Sequence, residues 1–154
     1  MGDIELKKYM PSLAMALPAV LLLASGPHGF AASDLLPGCL YYHFFHANIW
    51  HLLGNLLALF PFHPRWKTLG VAYVSATLAV IIPGVAAADV TCGMSALLYA
   101  CFARSYAEKR QNPIPLLAVN MVFIFVPAVN WRVHLAAFII SYVTWLLITS
   151  RRKG

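Results

Sequence analysis

Residues 90–103 read "VTCGMSALLYACFA", an uncharged run of 14 residues between Asp89 and Arg104. A membrane-spanning helix needs about 20 mostly apolar residues at about 1.5 Å of rise each, so this run is too short to cross a bilayer alone. It can sit at membrane depth only if other helices surround it and a water-filled cavity lies above its outer end. Ser95 is nine residues before Arg104, about 14 Å above the inner boundary of such a helix. Gly93, Ala96, Ala100 and Ala103 recur at helical spacing and form a small-residue face suited to close packing.

The rest of the chain supplies the surrounding helices. Hydrophobic residues make up 61% of the 154 positions and charged residues 10%, with a mean hydropathy of +0.74. Soluble domains are about 45–50% apolar and about 25% charged, so this composition points to burial in lipid. The charges cut the chain into apolar runs at 9–27, 44–62, 68–88, 90–103, 111–131 and 133–150. Six helices with a short fourth are expected, as one all-α polytopic bundle over residues 1–154. With the N-terminus inside, the inner segments hold Lys7, Lys8, Arg65, Lys67, Arg104, Lys109, Arg110, Arg151, Arg152 and Lys153. That is ten of the eleven basic residues, leaving Arg132 outside. The formal charge of +6 is therefore read as membrane topology, with no nucleic-acid partner. The first segment also has the form of a secretory signal, which would leave the orientation of the rest unchanged. Cys39, Cys92 and Cys101 have no metal-like spacing, and a Cys39–Cys92 disulfide is open if both face an oxidising compartment.

Polar groups inside spans are costly and mark functional candidates. In "YYHFFHANIWHLLGN" (41–55), His51 and Asn55 are four apart and share a helix face, with His46 nearer the outer surface. His134 opens the sixth helix from outside, followed by the small pair Ala137 and Ser141. Ser95, His134, His51 and Asn55 thus fall in the outer half of the bundle. A serine needs a base to become nucleophilic, and an oxyanion needs donors, so these are the parts of an acyl-transfer site. Each residue also has a plainer reading: a serine bonded to the preceding turn, an interfacial histidine, polar packing between helices. His28, His43 and His63 are assigned to loops and interfaces. Tyr41, Tyr42, Phe44, Phe45 and Trp50 read as an aromatic belt at the outer surface.

Together these residues resemble the rhomboid intramembrane serine proteases. "HANIWHLLGN" carries the family's H-x-x-x-x-H-x-x-x-N pattern at His46, His51 and Asn55. "GMSALLY" carries its G-x-S motif and the tyrosine four residues on, at Gly93, Ser95 and Tyr99. "HLAAFIIS" carries its histidine with small residues three and seven positions later. The resemblance implies a six-span rhomboid-like bundle, with Ser95 as nucleophile and His134 as base in a dyad without a carboxylate. It further implies that Tyr99 stacks on His134, that His51, Asn55 and the Ser95 N–H form the oxyanion hole, and that His46 braces the preceding loop. The implied reaction is hydrolysis of transmembrane protein substrates near their outer ends, without cofactor or metal; the six segments and the strong positive-inside bias lead us to expect a prokaryotic inner membrane.

Two positions depart from the family pattern: Ala96 stands where glycine usually follows the serine, and the first outer loop (about 28–43) lacks a tryptophan–arginine pair. The small size also resembles the rhombosortase branch, which processes C-terminal sorting tails. A catalytically silent, client-binding relative is the alternative function, but such relatives usually lack the serine or the histidine. A haem or metal protein is the other; against it, His46 and His51 point in different directions on a helix.

Overall fold

In a computed structural model of the chain, residues 2–23, 38–85, 91–122, 125 and 129–151 are described. Within them the protein is all-helical: α1 (Gly2–Leu23), α2 (Gly38–Tyr41), α3 (Ile49–Phe62), α4 (Trp66–Ile81), α5 (Ser95–Lys109), α6 (Ile114–Val122) and α7 (Trp131–Ser150). Apart from the one-turn α2, these follow the order of the six apolar runs. Two helices are long and apolar enough to cross a membrane, at Leu6–Leu23 and Trp131–Ser150; Ile49–Phe62 and Trp66–Ile81 are apolar but shorter.

The helix limits differ from the charge-defined runs for local reasons. The second run begins helically only at Ile49, because Asn48 is an extended N-cap whose side chain accepts the His51 N–H at 2.9 Å. The third stops at Ile81, before Pro83 and Gly84 (φ +80°). The fourth starts at Ser95 rather than residue 90 and runs on to Lys109, so most of the charged stretch between the fourth and fifth runs is helix. Arg104 is tolerated there because its charge is satisfied: Nε donates to Glu108 at 2.9 Å, Nη1 donates to Thr68 Oγ1, and the guanidinium lies 4.9 Å from the Trp145 ring centroid. Of the expected fifth helix, α6 covers 114–122; residues 123–124 and 126–128 lie outside the described set, as do 24–37 with His28.

The core is a three-helix seam of α4, α5 and α7, with α5 against α7 the most extensive contact; α1 packs on α3 and α6 on α7. Ala72, Ala76 and Ala79 of α4, Ala100 and Ala103 of α5, and Ala137 and Ser141 of α7 have no exposed surface. The small faces read from the sequence meet here, and Ser141 Oγ donates to Ala100 O at 2.7 Å. With only small side chains between them, the two backbones approach closely and gain dispersion contacts along their length.

Tyr42 corrects the aromatic-belt assignment, whereas His43 does lie in a turn but is buried rather than interfacial. Tyr42 is fully buried and its hydroxyl donates to Ala76 O at 2.9 Å. His43 is buried beside it, with Nε2 3.1 Å from Thr77 Oγ1. Burial pushes its imidazole pKa down to about 3, so it is neutral at physiological pH. Both tie the segment before α3 to α4. Tyr41 and Trp50 do remain exposed. The open Cys39–Cys92 pairing is not made, since both are free thiols.

If the α5–α7 approach holds the fold together, Ala100→Leu forces a larger side chain into the seam and costs about 1–3 kcal/mol. Ser141→Ala removes one interhelical hydrogen bond and costs about 0.6 kcal/mol. Thermal midpoints in detergent micelles should rank wild type, Ser141→Ala, Ala100→Leu from highest to lowest.

Candidate active site

Three chain segments converge at one end of the seam. The first is the turn before α5. Gly93 has φ +92°, a left-handed conformation that side chains rarely adopt, and its N–H donates to Tyr42 O at 2.9 Å. A Cβ there would lie 2.6 Å from His51 Cε1 and 2.7 Å from His51 Nε2, with Asn55 Nδ2 at 3.3 Å. Glycine is therefore required twice over, by φ and by the approach of α3. Past this turn the chain enters α5 at Ser95, with Met94 as N-cap. Ser95 thus occupies the first helical position, where the backbone N–H has no partner within the helix and the helix dipole favours negative charge.

The second segment is the start of α7. His134 lies in its first turn, buried, with Nε2 2.7 Å from Ser95 Oγ. With Nε2 unprotonated, the serine hydroxyl donates to it. The Tyr99 ring, one turn along α5 from Ser95, lies 5.0 Å from the His134 ring centroid at an interplanar angle of 36°. The two rings are thus in tilted contact.

The third is the start of α3. His51 lines the same cavity as Ser95 and His134. The His46 ring meets it edge-on at 5.1 Å, and His46 Nδ1 is 3.2 Å from Phe44 O, so His46 is wedged between the loop and His51. Asn55 lies one turn deeper. It is not among the cavity-lining residues, but its Nδ2 is buried without a hydrogen-bond partner beside Gly93. An unsatisfied buried amide costs on the order of 1–3 kcal/mol, so a donor is held in reserve next to the serine turn.

The cavity has a volume of about 160 Å³ and is lined among others by His51, Cys92, Gly93, Ser95, Asn130 and His134. It holds a hydroxyl paired with an imidazole, next to fixed N–H donors, which is the equipment for attack on a carbonyl. Among the described residues no group of three or more His, Cys, Asp or Glu side chains is placed to hold a metal ion.

Two site residues escaped the sequence reading. Asn130 caps α7, its Oδ1 accepting the Val133 N–H at 3.4 Å, while its Nδ2 donates to Thr91 Oγ1 at 3.1 Å. It thereby fastens the helix of His134 to the segment leading to Ser95. Asn120, fully buried on α6, donates to Trp131 O at 3.2 Å and ties the same helix start to α6. The signal for Asn130 was present, as an asparagine directly before an apolar helical run.

Comparison of the chain with protein-family models, with curated proteins and with solved structures finds no match in any of the three.

Gly93→Ala must displace His51 or unwind the turn. It should lower the thermal midpoint well beyond Gly54→Ala, since a Cβ at Gly54 meets nothing within 4 Å.

Proposed function

We propose that the chain is a six-span, rhomboid-like membrane protein and that Ser95 and His134 hydrolyse peptide bonds in or next to transmembrane segments of other proteins. The observation that carries the catalytic reading is the 2.7 Å contact of Ser95 Oγ with His134 Nε2 in a cavity bordered by His51. A client-binding protein has no need of that pairing.

Two features support the membrane reading. Large apolar side chains are exposed along the helices, among them Leu57, Val74, Ile81, Val143 and Leu147, a surface that water would penalise and lipid would not. The charges also segregate. Ser95, His134 and His51 gather at one end of the bundle, whereas Lys67 and Arg104 flank Trp145 at the other. By the positive-inside rule the basic end would face the cytoplasm and the serine the outer side; the compartment we propose is a prokaryotic inner membrane, with both termini inside.

In the proposed reaction His134 Nε2 takes the Ser95 proton as Oγ attacks the scissile carbonyl carbon. The carbonyl oxygen becomes an oxyanion, which the Ser95 N–H, His51 and, after a small shift, Asn55 would stabilise. The tetrahedral intermediate collapses as His134 returns the proton to the leaving amine and the C–N bond breaks. A water, deprotonated by His134, then releases the acyl group and restores Ser95. Tyr99 holds the imidazole plane through the cycle and His46 holds His51.

The test is cleavage of a panel of single-span reporter proteins co-reconstituted with the protein in lipid vesicles. Wild type should cleave at least one reporter and Ser95→Ala none. Asn55→Ala should be slower by about 10²–10³, the usual loss for one oxyanion donor. Cleavage that survives Ser95→Ala, or capture of reporters without cleavage by wild type, would overturn the assignment.

A further inference from the structure

A second polar cavity lies at the end of the bundle away from Ser95. It has a volume of about 210 Å³ and is bordered by His63, Arg65, Thr68, Arg104, Ser105 and Glu108 at the turn between α3 and α4 and the last turns of α5. Its charges do not balance. Glu108 pairs with Arg104, and that is the ion pair found among the described residues, so the exposed Arg65 has no acidic partner. Two more cations stand close by. Lys67 Nζ lies 5.7 Å from the Trp145 ring centroid, on the ring that also carries Arg104. Lys8 Nζ lies 5.6 Å from the Tyr9 ring, which packs edge-on against His63 at 4.5 Å. His63 itself adopts φ +46°, and its Nδ1 is buried without a hydrogen-bond partner. The turn thus gathers donors and positive charge from α1, α4 and α5 around a cleft, with one carboxylate already committed.

The geometry points to a phosphate-binding site, and we propose that its occupant is the headgroup phosphate of an anionic phospholipid of the inner leaflet. The lipid source is favoured because Trp66, adjacent to Arg65, is an exposed ring of the kind that anchors at the membrane interface. Basic clefts between membrane helices on the cytoplasmic side are suited to such headgroups. Arg65 supplies the uncompensated guanidinium, Arg104 a second one shared with Glu108, and Lys67 and Lys8 the surrounding field. A phosphate there would bridge the inner ends of α3, α4 and α5, opposite the serine. The inference rests on the proposed membrane topology but not on catalysis.

Native mass spectrometry from nanodiscs of phosphatidylcholine doped with phosphatidylglycerol tests it. Wild type should retain phosphatidylglycerol in preference to phosphatidylcholine. Arg65→Ala should reduce that retention about fivefold, the effect of one basic residue near an anionic surface, and Arg65→Glu should reduce it further. Arg151→Ala, at the end of α7, should leave it unchanged. Equal losses for Arg65→Ala and Arg151→Ala would reduce the effect to diffuse charge and overturn the site. Retention untouched by Arg65→Glu would do the same, and displacement of the lipid by inorganic phosphate would overturn the lipid as occupant. A chain that stays in buffer without detergent refutes the membrane topology. One that enters the discs without lipid preference refutes only this site.

Discussion

Close approach of α5 and α7 is the constraint on which the remaining structure depends. Ser95 and His134 sit 39 positions apart in the chain and belong to different helices, yet Ser95 Oγ and His134 Nε2 stand at 2.7 Å. Such a distance is reproducible only if the two helix axes are held rigidly. The seam does this with alanines, which carry no rotamers to reorganise, and with the Ser141–Ala100 hydrogen bond two turns below the site. Ala96 belongs to the same logic. It is 2% exposed and borders the cavity, so its methyl fits the seam in place of the glycine usual in the resembling family.

Around that seam the site is assembled from helix beginnings. Ser95 is the first residue of α5, His134 lies in the first turn of α7 and His51 in the first turn of α3. Each helix start carries a positive dipole end, so three of them at one cavity favour negative charge there, even though Asn48 and Asn130 already accept N–H groups of α3 and α7. The caps matter accordingly. Asn48 and Asn130 define where α3 and α7 begin, and moving either start by one residue would rotate His51 or His134 by about 100°.

Much of this was legible in the sequence because it depends on spacing along single helices. His51 and Asn55 at four residues, Ser95 and Tyr99 at four, and the alanines at three and four place side chains on one face whatever the rest of the fold does. The order of the helices followed from where charges interrupt apolar runs. Less legible were features that depend on partners distant in sequence. Tyr42 reads as one more interfacial aromatic until the Ala76 carbonyl and the Gly93 N–H are known to meet it. Arg104 reads as the end of a span until Thr68, Glu108 and Trp145 satisfy it and let α5 continue to Lys109. Asn55 lies a layer behind the cavity, since spacing fixes the face of a helix but not the depth at which a neighbour crosses it.

The central claim is that His134 makes Ser95 a nucleophile, and covalent labelling by a fluorophosphonate probe measures that most directly. Purified wild type, Ser95→Ala and His134→Ala would be compared, each first shown to be folded by its helical circular dichroism and a cooperative thermal transition. The account predicts labelling of the wild type, none of Ser95→Ala, and loss of nearly all labelling in His134→Ala. A folded wild type that resists the probe under conditions where a known intramembrane serine protease reacts, or labelling that persists without His134, would contradict it.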